Sequence, residues 1–207
     1  MTDPWVLREE AELDEILGTP SPDVQQKVFD RVDAHAAAFL ARSPLAMMAT
    51  SDREGRLDVS PKGDAPGFAQ LHDERTLLVP ERIGNKLAFG FRNILANPRV
   101  AMIFVVPGVT ETLRIAGRAE VTKEPAVLER LSAKGKPALL ATRIAVEECF
   151  FHCGKAFLRS QLWNAATWPS GFRVSLGRQL APKLGGGDET AAQVDEYVAE
   201  GYRSRLY

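Results

Sequence analysis

The chain has little cysteine, no long hydrophobic run and no recognisable export signal. Only two of its 207 residues are cysteines, which is too few for a disulfide framework, so we expect both thiols to be reduced. The longest uncharged stretches, residues 100–110 and 160–172, are shorter than the ~18 apolar residues that a membrane-spanning helix needs. Residues 1–12 contain neither the basic start nor the apolar run of a secretory signal, which predicts a cytoplasmic protein.

Several nucleotide-binding and hydrolytic motifs are also missing. The sequence has no G-x-G-x-x-G fingerprint and no phosphate-binding loop ending in Gly-Lys-Ser/Thr. It lacks a G-x-S-x-G elbow and any identifiable Ser-His-Asp or Cys-His arrangement. The haem-attachment order C-x-x-C-H is absent, because His152 precedes Cys153. We therefore expect any catalysis to depend on a bound cofactor.

The formal net charge of −1 hides an uneven distribution of charge. Residues 1–30 hold eight acids and two bases, whereas residues 82–110 hold four bases, residues 154–187 hold five, and neither of these two stretches contains an acid. Short cationic stretches in a nearly neutral chain suit a small anionic ligand better than an extended polyanion such as DNA. The alternative is that these are solvated basic faces. We expect a small-molecule partner, and neither nucleic acid nor membrane.

Short segments of strand character predict a fold that is mainly β. Six such segments occur, at residues 45–51, 56–60, 76–79, 100–106, 111–121 and 141–151. Helices are predicted at residues 3–17, 22–41, 85–95 and 125–131, and a last helix carries Val194, Tyr197, Val198 and Tyr202. Hairpin-linked strands with helices between only some of them favour an antiparallel sheet or barrel, of α+β type, over a doubly wound parallel sheet.

Composition divides the chain into three predicted parts. Residues 1–21 form an acidic helical extension, residues 22–183 the main domain, and residues 184–207 a helical tail. The tail follows a flexible joint at Gly185-Gly186-Gly187. We expect this apolar tail to dock on a partner subunit or on its parent domain.

Two segments combine cations with residues that suit anion binding. Residues 60–67 read Ser-Pro-Lys-Gly-Asp-Ala-Pro-Gly and follow a predicted strand, and an ordinary turn is the alternative interpretation. Residues 80–86 precede a predicted helix, whose first amides would help to surround a phosphate. The candidate ligands are Ser60, Lys62, Arg82, Asn85 and Lys86.

A third segment places two cations, a hydroxyl and an indole at helical spacing. On one helix, Lys155, Arg159, Ser160 and Trp163 would share a face, and the indole would stack on a planar ring. Core packing of the tryptophan is the alternative.

Cys149, His152 and Cys153 suggest a zinc site, since thiolate and imidazole are zinc ligands. One segment offers three ligands at most, and buried structural cysteines are the favoured interpretation.

Taken together, these residues resemble the pyridoxamine 5'-phosphate oxidase-like flavin mononucleotide (FMN) proteins. The resemblance is carried by the strand order, by Ser-Pro-Lys-Gly-Asp at residues 60–64, by Asn-Pro-Arg-Val at residues 97–100, and by Leu-Arg-Ile-Ala-Gly-Arg-Ala at residues 113–119. It covers roughly residues 25–180, and residues 80–108 and 152–163 look like a bacterial branch of the family.

The resemblance implies a six-stranded split β-barrel that dimerises and binds two FMN molecules at the subunit interface. It places Lys62 and the segment from Arg82 through Asn85 to Lys86 at the FMN phosphate and ribityl chain, and Ser60 near the isoalloxazine or ribityl arm. Thr112 stands where relatives often carry a glutamine that reaches the flavin. From the other subunit, the residues that would approach the cofactor are Lys155, Arg159 and Trp163.

Three departures from the family pattern argue against a vitamin B6 phosphate as substrate. The Ser-Arg-Lys triplet before Asn-Pro is replaced by Gly84-Asn85-Lys86 with a longer helix between, and the Arg-Leu-His motif near the C-terminus is absent. An arginine expected near the second strand is replaced around Leu57-Asp58. The leading hypothesis is a homodimeric FMN-dependent oxidoreductase. The alternatives are a non-catalytic flavin carrier or sensor and, less favoured, a Cys/His metal-binding protein.

Overall fold

A computed structural model describes residue 3 and residues 5–207, so Met1, Thr2 and Pro4 of the predicted N-terminal features lie outside the described residues. Within the described part of the chain, seven antiparallel strands form one sheet in the order β2-β1-β5-β6-β7-β4-β3. The strands are β1 (Leu45–Ser51), β2 (Leu57–Gly63), β3 (Gln70–Asp73), β4 (Thr76–Glu81), β5 (Arg99–Val105), β6 (Thr112–Thr122) and β7 (Leu140–His152). The predicted antiparallel class is confirmed, with seven strands instead of six.

The sheet curls so that β2, at one edge, comes close to β4, the second strand from the other edge. In a flat sheet with strands ~4.8 Å apart, β2 and β4 would be separated by about 24 Å, since they are first and sixth in the order. Instead, Lys62 Nζ donates a hydrogen bond to Glu81 Oε2 at 2.6 Å, and Arg82 Nε donates to Asp64 Oδ2 at 2.7 Å. Among the described residues, no backbone hydrogen bond joins the two strands. The fold is therefore a split barrel whose seam is closed by side chains.

Large apolar side chains fill the barrel. Alternation along the strands directs every second residue inward, and the largest buried ones on the inner face include Met48, Leu77, Met102, Phe104, Leu113, Ile115 and Ile144. Leu78, Val127, Leu131, Ala138 and Ala141 form a smaller cluster under the β6–β7 connection. Burial of this apolar surface is the main force that stabilises the curled sheet.

Short helices connect and flank the strands. They are α1 (Glu10–Leu17), α2 (Pro22–Gln25), α3 (Ala34–Leu40), α4 (Phe89–Ala96), α5 (Pro125–Arg130), α6 (Lys155–Ser160), α7 (Leu176–Leu180) and α8 (Asp188–Ser204). Two 3₁₀ helices span Ala165–Thr167 and Ala181–Leu184. None of the helices in the described ranges has the length and apolar character to cross a membrane. The helices predicted at residues 125–131 and at the C-terminus are present, whereas those predicted from residues 3 and 85 begin later, at Glu10 and Phe89.

The prediction of one continuous helix over residues 22–41 is wrong. Helix α2 stops after a single turn, and Phe29 then forms an antiparallel β-bridge with Cys149 on β7. Its amide donates to Cys149 O at 3.0 Å, and the Cys149 amide donates back at 2.7 Å. Asp33 starts a new helix by accepting a hydrogen bond from the Ala36 amide at 2.7 Å. After the break, Val32, Ala36 and Leu40 are buried in the barrel core, whereas Val24 and Val28 before it are exposed.

A β-bulge between β6 and β7 depends on a glycine. The register shifts between Ala116 and Gly117, where the backbones of β6 and β7 approach closely. A Cβ atom on Gly117 would lie 2.0 Å from the carbonyl oxygen of Ala145. Gly117 therefore permits an approach that any side chain would block.

Candidate functional site

A cleft of about 170 Å³ opens at the barrel seam, between β1, β2, the end of β4 and the start of α4. Strand β2 supplies one wall through alternation, because Asp58, Ser60 and Lys62 are half-buried whereas Leu57 and Val59 face outward. Register pairs Ser60 with Met48 and Asp58 with Thr50 on β1, and these two β1 residues also line the cleft. The polar wall is thus a direct product of the two-residue strand period.

Lys62 is held in this cleft by two neighbours. Its ammonium donates to Glu81 Oε2 at 2.6 Å and lies 5.2 Å from the centre of the Phe91 ring. The Lys62 side chain is only 15% exposed, so it is better ordered than a surface lysine. A cation above an aromatic ring and beside a carboxylate is stabilised by both.

The loop before α4 has an unusual backbone. Lys86 and Ala88 both adopt the left-handed region, with φ of 64° and 55°, and the Asn85 Oδ1 atom accepts from the Leu87 amide at 3.0 Å. This turn delays the helix to Phe89. In the described chain no side chain caps the start of α4, so its first turn presents amide donors beside the cleft.

The charges in the cleft wall do not by themselves match a phosphate. Asp58 and Glu81 contribute two carboxylates, and Lys62 contributes one ammonium. Thr50 and Ser60 add hydroxyls, and the Thr50 Oγ1 atom accepts from Asn93 Nδ2 at 3.0 Å. A dianionic group in this cleft needs further positive charge beyond the side chains of one chain.

The structure brings together three of the nine predicted site residues. Ser60, Lys62 and Asn85 line the cleft, and Lys86 follows directly as an exposed residue. Arg82 does not line it, because its guanidinium is bound to Asp64 at 2.7 Å and to the Leu131 carbonyl at 2.8 Å, outside the cleft wall. The predicted contact of Arg82 with FMN stays a prediction.

The remaining predicted residues lie elsewhere on the chain. Thr112 is buried at the start of β6, paired with His152. Lys155 and Arg159 are exposed on α6. Their approach to a flavin in the other subunit stays a prediction, as does the contact of Thr112.

The expectation that Trp163 shares one helical face with Lys155 and Arg159 is wrong. Helix α6 ends at Ser160, because Gln161 adopts a left-handed conformation. The Trp163 indole donates to the Val109 carbonyl at 2.8 Å, and its ring centre lies 5.8 Å from that of Phe157. Its side chain thus anchors the segment after α6 to the loop before β6.

The two carboxylates of the cleft wall were not among the predicted site residues, for different reasons. Asp58 lies two positions before Ser60 on the same strand, so the alternation rule was sufficient to find it. Glu81 reaches Lys62 only because the sheet curls, and no local sequence pattern carries that information.

The Cys/His metal site finds no support in the structure. Cys149 is 2% exposed and faces the barrel core, whereas Cys153 is exposed, and both thiols are free. Burial, aided by the negative charge of Asp33, raises the pKa of the Cys149 thiol to about 11. Within the described residues, no group of three or more His, Cys, Asp or Glu side chains is placed to hold a metal ion.

Comparison with known families identifies the class of protein. The family sequence model described as pyridoxamine 5'-phosphate oxidase matches residues 32–153. Because this match spans more than half of the chain, the protein belongs to the pyridoxamine 5'-phosphate oxidase family. The matched residues begin just before α3 and end after β7, and so include the whole barrel and the cleft.

Several solved structures are similar to the chain at low sequence identity. HupZ of Group A Streptococcus is 22% identical, covers 58% of this chain and 93% of its own, and has a TM-score of 0.48. An FMN-binding protein from Syntrophomonas wolfei is 11% identical, covers 70% and 94%, and has a TM-score of 0.44. A Clostridium acetobutylicum protein related to general stress protein 26 is 15% identical, covers 57% and 85%, and has a TM-score of 0.44. A search of curated proteins found no match.

Proposed function

We propose that the protein is a homodimeric flavin-dependent oxidoreductase that binds FMN in the cleft at the barrel seam. The observation that carries the proposal is the cleft itself, in which Ser60, Lys62 and the start of α4 meet inside the family's matched region. Bound FMN would supply the electron or hydride transfer, and the protein would orient it.

The residues of the cleft fit a flavin in part. The hydroxyls of Thr50 and Ser60 and the amide of Asn85 suit the ribityl hydroxyls and the polar edge of the ring. The Lys62 ammonium and the uncapped first turn of α4 suit the phosphate. These groups would bind and orient the cofactor without acting as proton donors.

Two features favour a second copy of the chain completing the site. The cleft is smaller than the ~300–1,000 Å³ of pockets that enclose drug-sized ligands, and its wall holds more carboxylates than ammonium groups. A partner subunit would add both the missing wall and positive charge, for which Lys155 and Arg159 are the predicted donors.

The outer face of the sheet offers a surface for this dimer. Met47, Val59 and Ile103 are exposed on the neighbouring strands β1, β2 and β5. An exposed apolar patch across three adjacent strands is typical of a protein interface. We assign the dimer contact to this apolar sheet face, defined by these three residues.

The test begins with the visible absorption spectrum of purified protein and a titration of the apoprotein with FMN. We expect Lys62→Ala to weaken FMN binding by about 1–3 kcal/mol, the range for a lost charge-assisted hydrogen bond, or roughly 5- to 150-fold in Kd. Lys123→Ala, at an exposed lysine between β6 and α5, is the matched control and should bind as the wild type does. A colourless protein that also fails to bind added FMN would overturn the proposal.

A non-catalytic flavin carrier or sensor is favoured by one observation, the mutual neutralisation of Lys62 and Glu81. In this ion pair, an acidic and a basic side chain of the cleft bind each other. Reduction of the bound flavin by a reduced nicotinamide or deazaflavin, followed by turnover with an acceptor, would exclude the carrier role. A flavin that none of these donors reduces would favour it.

A further inference from the structure

The last helices form a compact unit, which we call the C-terminal helical unit and define as residues 175–207. Gly177 on α7 packs so closely against α8 that a Cβ atom there would lie 1.9 Å from the Ala191 carbonyl oxygen. Asp195 accepts from Ser175 Oγ at 2.5 Å and from the Gly177 amide at 2.7 Å. Helices α7 and α8 are therefore held together by backbone proximity and a charged hydrogen-bond acceptor.

Tyr207 joins this unit to the barrel. Its hydroxyl donates to Asp64 Oδ1 at 2.7 Å, and Lys136 Nζ donates to its main-chain oxygen at 2.9 Å. In the described part of the chain, these are the only hydrogen bonds or ion pairs between residues 175–207 and the barrel. Thus one residue carries the polar attachment of the whole unit.

Tyr207 lines two adjoining cavities of the barrel. The first is formed mainly by residues 64–68 and 131–134, the second by residues 81–83 and 133–139, and Arg82 lines both. Tyr207 is half-buried there, although it lies beyond the end of α8. Asp64, in the wall of the first cavity, supplies the acceptor for the hydroxyl.

Asp64 is the centre of this attachment. Its side chain is 4% exposed and also pairs with Arg82. Burial by itself raises the pKa of Asp64, but hydrogen bonds from Tyr207, the Ala65 amide and Arg82 outweigh it and hold the pKa below its ordinary value. The tyrosine therefore donates to a carboxylate that is ionised at neutral pH, which makes the hydrogen bond stronger than one between neutral groups.

The residues of this attachment lie close in sequence to those of the candidate flavin cleft. Asp64 follows Lys62 by two residues, and Arg82 follows Glu81 directly. The ion pairs Lys62–Glu81 and Asp64–Arg82 consequently join the same two segments across the seam. Only Gly63 separates the two pairs on one segment, and no residue separates them on the other, so we expect them to be coupled.

We propose that Tyr207 is a positioning residue that latches the C-terminal helical unit onto the Asp64–Arg82 ion pair and so holds the Lys62 side of the seam in the geometry that binds FMN. The positioning role rests on the proposed function, whereas the latch does not.

The test compares the full-length wild type with Tyr207→Phe, which removes only the hydroxyl, and with Tyr202→Phe as a matched control on the exposed side of α8. Hydrogen exchange reports the latch directly. We expect exchange in residues 64–68 and 131–139 to be at least threefold faster in Tyr207→Phe, while Tyr202→Phe matches the wild type. Unchanged exchange in Tyr207→Phe overturns the latch.

FMN titration tests the positioning role. Tyr207→Phe should raise the Kd for FMN by roughly three- to tenfold, and it should have no further effect in a Lys62→Ala background, because coupled residues are not additive. An equal loss in both backgrounds, or no loss in the wild-type background, overturns the positioning role. A wild type that does not bind FMN overturns the proposed function and the positioning role together, and the exchange result still decides the latch.

Discussion

At the scale of single residues, the pairing of Lys62 with Glu81 limits how strongly the candidate cleft attracts an anion. The ammonium that the family resemblance assigns to FMN is already in contact with a carboxylate 2.6 Å away. An anionic ligand must therefore compete with Glu81, or share Lys62 with it, which lowers the gain in free energy from binding.

Removal of that competition should strengthen FMN binding. Glu81→Gln keeps the size of the side chain and a hydrogen-bond acceptor for Lys62 but removes the negative charge, so we expect the Kd for FMN to fall by roughly three- to tenfold. The Kd is measured by the quenching of FMN fluorescence on binding, and Glu129→Gln, at an exposed position, is the control. Weaker binding in Glu81→Gln would show that Glu81 contacts the ligand instead of competing with it.

The two thiols should differ sharply in reactivity. Because burial raises the pKa of Cys149 to about 11, only about one in a thousand of these thiols is ionised at pH 8, and the thiolate is the reactive form. We expect a thiol-specific chromogenic disulfide to label one thiol per chain rapidly at pH 8 and the second only after denaturation. Cys153→Ser should remove the rapid phase. Two rapid thiols in the wild type would contradict the buried position of Cys149.

At the scale of secondary-structure elements, the β6–β7 bulge is the most tightly restricted part of the sheet. Gly117→Ala would place a methyl group 2.0 Å from a backbone carbonyl in a paired strand. We expect a loss of at least about 2–3 kcal/mol in the free energy of unfolding, measured by urea denaturation.

Gly187→Ala is the matched control for this substitution. A Cβ atom on Gly187 would meet no atom within 4 Å, so we expect a change of less than about 1 kcal/mol. A Gly117→Ala protein as stable as the wild type would show that the bulge relaxes.

Strand alternation and turn residues were sufficient to predict most elements. The strands at residues 45–51 and 111–121 were predicted almost to the residue. The first is a short apolar run that ends at a polar glycine turn, and the second alternates between apolar and polar positions over eleven residues. Strand β3 was missed, since its four residues are too short and too polar to show a pattern. The helix over residues 22–41 failed because its apolar spacing matched a helix, while the Phe29 bridge to Cys149 depends on a distant strand.

In the candidate site too, local motifs predicted some residues, whereas contacts between distant segments were not predicted. The local motif at residues 60–64 led to Ser60 and Lys62, and the loop before α4 led to Asn85. Arg82 was assigned to the same ligand as a cation just before the predicted helix, and by the family resemblance. Its pairing with Asp64 depends on the curl of the sheet, which no short motif encodes.

At the scale of the whole molecule, the apolar sheet face has a direct test. Val59 is 63% exposed on β2, and Val59→Lys would place two like charges across the proposed twofold contact. We expect sedimentation to show at least a tenfold weaker dimer, together with weaker FMN binding. Leu17→Lys, at a 73% exposed position on α1, should sediment as the wild type does. A wild type that is monomeric, or a Val59→Lys protein that remains a stable dimer, would reject this interface.

The side-chain closure of the barrel has a kinetic consequence. Separation of β2 from β4 breaks ion pairs such as Lys62–Glu81 and Asp64–Arg82. It breaks no backbone hydrogen bond between paired strands, because β2 and β4 are not neighbours in the sheet. Side-chain rotation is far faster than strand separation, so a rearrangement of the seam requires no paired strands to separate. Dissolved salt screens buried ion pairs much less than exposed ones, and the four side chains of these two pairs are at most 24% exposed, so we expect the rate of ligand entry at the seam to change little with ionic strength.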